Sequence, residues 1–198
     1  MTQSAYTHLQ TRCDTPTDMA RLKTVAAPHA GDWLNAPPIT AIGLRLSDEA
    51  IRVAVGFRLG SITCQPHIRI CGAMVDTRGL HGLSCRKSGP RHTRHSKLNY
   101  LIWRAVKRAQ IPAIKETIGL SRINGEKADR ATLIPSKRGK PLAWDITVPD
   151  TYAASHLAET AESAGASANK AAANKISKYS TLATTHHFAP ISVETGGP

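Results

Sequence analysis

Acidic residues are scarce in this chain: 14 Asp+Glu stand against 26 Lys+Arg over 198 residues, giving a net charge of +12 and a pI near 10.0. That imbalance exceeds what solubility requires. It points to a polyanionic partner, nucleic acid before an acidic membrane surface. Aromatics are also few, at 5%, and none interleaves the densest basic run, so base stacking and sequence-specific readout are not indicated. Four cysteines (Cys13, Cys64, Cys71 and Cys85) are too few and too uneven for a disulfide framework. No apolar run approaches a membrane span, and no charged segment followed by an apolar stretch opens the chain. The expected setting is reducing, nucleus or cytoplasm, with neither secretion nor a membrane partner.

What is present is an apolar content of 41%, enough for a core. Residues 1–46 are polar, Pro-bearing and weakly patterned, and read as a partly disordered linker. Residues 47–62 predict a helical lead-in. Ser47 can cap it, Asp48 and Glu49 suit the positive end of its dipole, and Arg58 suits the other end. Ile51, Ala54, Val55 and Leu59 supply its stripe. Residues 63–95 hold three of the cysteines among many turn formers, without periodicity. Such a segment needs an outside staple, and its Cys/His content suggests a metal.

From residue 96 the pattern becomes regular. "SKLNYLIWRAVKRAQIP" reads as a helix capped by Ser96 and stopped by Pro112, with Leu98, Leu101, Ile102, Ala105 and Ala109 on one face. Short runs at 113–120, 131–135 and 141–149 read as strands. A long Ala-rich helix at about 155–183 precedes a last strand, 186–195, which Pro190 places at an edge. The predicted class is α/β, with the order αβββαβ over 96–198.

Two acids stand out in that region. Alternation in "PLAWDITVP" puts Leu142, Trp144, Ile146 and Val148 on one face and Ala143, Asp145 and Thr147 on the other. Asp145 is therefore an acid in a strand wholly apolar on one side, where acids are disfavoured. If the flanking runs pair across "SKRGKP", Asp129 at the foot of one lies near the end of the other. Two such carboxylates repel unless a cation sits between them, and Mg²⁺ suits oxygen ligands. In the plainer reading Asp129 is a turn residue and Asp145 pairs with a nearby Arg or Lys.

"CGAMVDTRGLHGLSC" spaces Cys71, His81 and Cys85 as C-x9-H-x3-C. Structural zinc takes four N/S ligands, and Cys64 or His67 is placed to supply the fourth, with His92 a more distant candidate. The plainer reading makes the thiols small buried hydrophobes. Arg86, Lys87, Arg91, Arg94 and Lys97, with His92 and His95 between them, form a phosphate-contacting surface or a solvated link between two modules.

Several segments together resemble a known family: "GDWLNAPPITAIGLRLSDEAIRVAVGFRLG", "CGAMVDTRGLHGLSC", "RHTRHSKLN", "TLIP…WDITVPDTYA", "NKISKY" and "APISVETGGP". They are similar, in order, to the C-terminal region of non-LTR retrotransposon polyproteins. There, downstream of the reverse transcriptase, a Cys/His zinc motif precedes a restriction-like endonuclease of the PD-(D/E)xK type. The similarity spans about residues 30–198. It implies that Asp129 and Asp145 hold a catalytic Mg²⁺ for hydrolysis of one DNA strand, with Glu116 a possible further carboxylate. It also implies a structural Zn²⁺ and DNA, or the element's own RNA, as partner.

The fold usually places a lysine two residues after the strand acid, where this chain has Thr147. In the retrotransposon branch the lysine comes from the next helix, matched here by "NKISKY", so Lys175 or Lys178 is the candidate. With Ala172, Ile176, Tyr179 and Ala183 facing the sheet, helical angles aim Lys175 inward better than Lys178. Other departures are Ala128 for a proline, Glu126 for a basic residue, Arg130 for a glycine and Arg69 for a cysteine. The reading from another class is a catalytically inactive nucleic-acid-binding remnant that uses the basic surface and the Cys/His motif.

Overall fold

The structure is a computed structural model that describes residues 2–85, 87, 89–114 and 128–197; the side chains of Pro90 and Arg91 are outside that description. Glu116, Glu126 and Arg86 lie outside the described residues. No described helix is long and apolar enough to cross a membrane. The protein is mixed α/β and divides into two compact units: Met1–Ser88 with Asp150–Ser167 and Glu194–Pro198, and Gly89–Pro149 with Ala168–Val193. Residues 1–46, 47–62 and 63–88 thus belong to one unit rather than forming successive modules.

The first unit opens with α1 (Gln3–Gln10) and α2 (Pro16–Ala26), where the sequence reading expected a linker. The signals are local. The Thr15 hydroxyl accepts from the Asp18 backbone, and Pro16 enters the first turn, where its missing N–H costs nothing. Ala20, Leu22 and Thr24 of α2 are buried. The lead-in helix α3 (Asp48–Leu59) runs as expected from its Ser47 cap and ends at Gly60, whose φ of +70° is a left-handed stop. Its predicted stripe holds in part: Ala54 and Val55 are half-buried, as are Val53 and Phe57, whereas Ile51 and Leu59 are exposed. Gly56 is buried where a Cβ would stand 2.7 Å from the Thr63 methyl.

A small hairpin, β1 (His67–Ile68) and β2 (Met74–Val75), leads to the single-turn α4 (His81–Ser84). Two quoted motifs close this unit. Glu194 is buried and accepts from the Ser167 N–H and hydroxyl and from the Thr151 hydroxyl. Thr195 donates to Asp150, and the Gly196 N–H donates to Thr151. "PDTYA" and "VETGGP" are therefore two halves of one hydrogen-bonded clasp.

The second unit holds α5 (Gly89–Arg108), β3 (Ala113–Ile114), β4 (Arg130–Lys137), β5 (Lys140–Thr147), α7 (Ala166–Lys178, all but its first two residues) and β6 (His187–Ser192); α6 (Leu157–Glu162) belongs to the first unit. The sheet order is β3-β4-β5-β6, antiparallel except for the parallel β5–β6 pair. β6 is an edge strand, as its proline predicted. β4 and β5 meet across Arg138–Gly139, with φ of +52° and +74°, a tight two-residue turn matched to sheet twist.

Three helix readings are corrected. α5 begins at Gly89 rather than after Ser96, so His92, Arg94 and His95 are helical, and Leu101, Ala105 and Ala109 are exposed. Its inward face is His95, Asn99, Ile102, Trp103 and Val106 at helical spacing. The Ala-rich stretch is two helices, because Gly165 adopts φ +81° between them. On α7, Ile176 points to solvent while Ala168, Ala172 and Lys175 turn inward; past its end, Tyr179 is buried and Ala183 is exposed in the short 3-10 turn that follows.

Candidate metal and phosphodiester site

β5 is buried on both faces through Ala143, Trp144, Asp145 and Ile146, as for a strand with cover above and below. Tyr179 and Leu182 pack with Ala128, Ala131 and Ala143. This is the face on which alternation placed Asp145, and Asp145 is only 4% exposed. A carboxylate so enclosed needs a partner. Lys175 supplies it, its Nζ donating to Oδ1 at 2.9 Å and to Oδ2 at 2.8 Å.

Asp129 lies just before β4, and the hairpin brings it to the same end of the sheet. The Ile146 N–H donates to its Oδ2 at 2.8 Å. His95 joins from α5, with Nε2 3.4 Å from Asp129 Oδ2 and 3.1 Å from the Ile146 carbonyl oxygen. One ligand atom from each of His95, Asp129 and Asp145 falls within 4.8 Å of the other two. Burial raises the Asp129 pKa above its ordinary value, and the neighbouring Asp145 carboxylate adds to the rise against the Ile146 N–H. His95 therefore faces the acids while its side chain stays 40% exposed.

The donor set suits a hard divalent ion. Two carboxylates and one ammonium leave a net −1 when His95 is neutral, and a ligand atom of each acid and of His95 lies within 4.8 Å of the others. His95 could add a nitrogen only with its proton on Nδ1; with the proton on Nε2 it donates to the Ile146 carbonyl instead.

Arg130 anchors the strand that carries Asp129. Its Nε donates to Asn99 Oδ1 at 2.7 Å, and its guanidinium lies 5.4 Å from the centre of the Trp103 ring. Arg130 thus ties β4 to α5. Lys178 lies over Tyr179, 5.3 Å from the ring centre, and does not share the Asp145 contact.

The other cluster is in the first unit. Cys71 Sγ lies 3.2 Å from His81 Nε2, and Cys85 completes a group within 4.8 Å. The Ala73 N–H and His81 lower the Cys71 thiol to about 7, so it ionises readily. Cys64 and His67 are outside this group. Cys64 Sγ donates to the Asp76 carbonyl at 3.3 Å, and His67 Nδ1 lies 2.9 Å from the Gln65 carbonyl. Arg69, standing where a fourth cysteine is usual, extends beside Gly82, next in sequence to His81. Among the described residues the group has three ligands.

Of the basic run, Lys87, His92 and Lys97 are exposed and Arg94 is half-buried. Comparisons with protein-family models, with curated proteins and with solved structures find no match to this chain.

Charge is unequally shared between the units. The sheet unit has 16 Lys+Arg against 4 Asp+Glu, a net +12, whereas the other has 10 of each sign, a net of zero. The whole excess of positive charge belongs to the unit that holds the paired carboxylates.

Proposed function

We propose that this chain is a retrotransposon-derived, metal-dependent DNA endonuclease with a restriction-endonuclease-like core, nicking one strand by phosphodiester hydrolysis. The observation that carries this reading is the meeting of Asp129, Asp145 and Lys175, brought from a loop, a central strand and a helix to one point. A divalent cation bound there, Mg²⁺ in this reading, supplies activation of water and neutralisation of charge on the scissile phosphate. Asp145 and Asp129 hold it, with His95 as a third donor. Lys175 pairs with Asp145 and brings positive charge to the place where phosphate charge develops. The net +12 of the same unit draws in the DNA and holds it through its phosphates, without base readout.

Cys71, His81 and Cys85 hold a zinc ion in the same reading, with the fourth position open to water or an outside ligand. The purified chain is expected to contain about one zinc, and Co²⁺ in its place to show the visible bands of a tetrahedral site with sulfur ligands. Cys71→Ser is expected to abolish both, and retention of full metal content in that variant would remove the assignment.

The second reading is a nucleic-acid-binding remnant without catalysis, with DNA or element RNA as ligand. It draws on one observation: the Lys175 ammonium already contacts both Asp145 oxygens, so that carboxylate is neutralised without an ion. Supercoiled plasmid separates the two. Mg²⁺-dependent relaxation that disappears in Asp145→Ala supports the nuclease; gel retardation by both proteins without relaxation supports the binder.

A further inference from the structure

The sheet unit holds a second concave, basic feature, at the opposite end of β5 from Asp145. A groove of about 530 Å³ runs between the β4–β5 turn and the segment that follows α7. Lys137, Arg138 and Lys140 line one wall and His186 and His187 the other, over Tyr179 and Phe188. No carboxylate is among its described lining residues.

Lys137 and Lys140 are directly opposed in the strand register, with Arg138 between them at the turn. Like charges facing each other across two strands are destabilising. Lys140 is partly relieved, since its Nζ donates to the Ala183 carbonyl. Lys137 and Arg138 are exposed and form no ion pair among the described residues. An arrangement that costs stability in the free protein is the kind that an anion offsets.

Position identifies the anion. β5 runs five residues from Lys140 to Asp145, about 17 Å at 3.4 Å per residue. The parallel neighbour keeps step, with His187 opposite Leu142 and Pro190 opposite Asp145. Groove and carboxylates share a face, because Ile176 of α7 and Tyr179 just past its end line the groove, and the same helix carries Lys175 to Asp145. Each strand of B-form duplex advances 3.4 Å per nucleotide, so about five nucleotides span the interval.

We propose that this groove binds the phosphodiester backbone of duplex DNA about five nucleotides from the phosphate held at the carboxylates. The ligand's identity rests on the nuclease reading. Contact is through phosphates alone: Tyr179 is buried and packs at a tilt against Phe188, with ring centres 4.8 Å apart, so it offers no open face to a base. Burial lowers the His186 pKa, which leaves that ring a neutral hydrogen-bonding group at physiological pH. The groove therefore carries its charge on Lys137, Arg138 and Lys140.

The test is the salt dependence of binding to a 20-base-pair duplex, measured by fluorescence anisotropy with the full chain and no divalent ion, so that cleavage cannot intervene. The variant is Lys137→Ala/Arg138→Gly, in which glycine suits the left-handed turn position. Each phosphate contact contributes about 0.9 to the slope of log K against log salt, so the slope is expected to fall by about 2. Arg12→Ala/Arg45→Ala removes the same charge from exposed positions of the other unit and is expected to leave the slope unchanged. An unchanged slope in the groove variant, or an equal fall in the control pair, overturns the groove. Plasmid nicking by the wild type is scored separately: nicking with an unchanged groove slope leaves the carboxylate site standing, and a reduced slope without nicking leaves the groove standing.

Discussion

Asp145→Asn is expected to lower Mg²⁺-dependent nicking by a factor on the order of 10³ or more while leaving duplex binding within a few-fold of wild type. The reason is positional. Asp145 is the deepest oxygen donor of the site, fixed by the middle of a strand buried on both faces, and no described side chain nearby can replace a lost carboxylate charge. Asparagine keeps the shape and one oxygen but loses the charge, so packing survives and the grip on a cation does not. The wild-type rate carries a pH signature as well. Asp129 must be ionised to act as a ligand, and burial has raised its pKa, so nicking and Mg²⁺ affinity rise with pH over a window above the ordinary carboxylate range. Initial nicking rates across pH check both statements.

Lys175→Met is expected to do two separable things. Nicking falls by about 10²–10³-fold, the loss typical when one charge-stabilising donor is removed. The metal-free protein also loses stability, on the order of 3–5 kcal/mol, because the buried Asp145 is left as an uncompensated charge. Asp145→Asn in the same chain removes that charge, so the double variant is expected to be more stable than Lys175→Met alone, a non-additivity that thermal unfolding reads directly. A purely structural lysine would show the stability loss and the rescue while nicking stayed intact.

The paired acids were legible in the sequence for a definite reason. Period-two alternation sets Asp145 on the face opposite the wholly apolar one, and pairing across Arg138–Gly139 carries Asp129 back toward it; two register shifts, between Ala131 and Pro135 and between Pro135 and Lys137, complete the approach and were not legible. The resemblance at "NKISKY" offered Lys175 and Lys178, and helical angles chose Lys175, even though the assumed stripe was wrong at Ile176 and Ala183. His95 was not. The basic run conceals it, and placing the start of the helix at Ser96 cut it off from Asn99, Ile102, Trp103 and Val106, whose spacing marks the inward face. Pro90 was the overlooked signal, since a proline is at home in a first turn.

Two further misses have similar causes. "TPTD" at 15–18 is a capped helix start whose weak apolar content hid it, and "SAGAS" breaks the Ala-rich run at Gly165. That no fourth ligand joins Cys71, His81 and Cys85 among the described residues is a matter of tertiary placement. Cys64 and His67 lie on the right side in sequence, but backbone carbonyls at Asp76 and Gln65 engage them elsewhere.

Everything chemical rests on a divalent ion held between Asp129 and Asp145. The direct measurement is anomalous diffraction from a crystal of the chain soaked in Mn²⁺. A single strong peak within bonding distance of both carboxylates, absent from the Asp145→Asn crystal, is the expected result. Lys175 still seated on both Asp145 oxygens, with no peak between the two acids at saturating Mn²⁺, would contradict it.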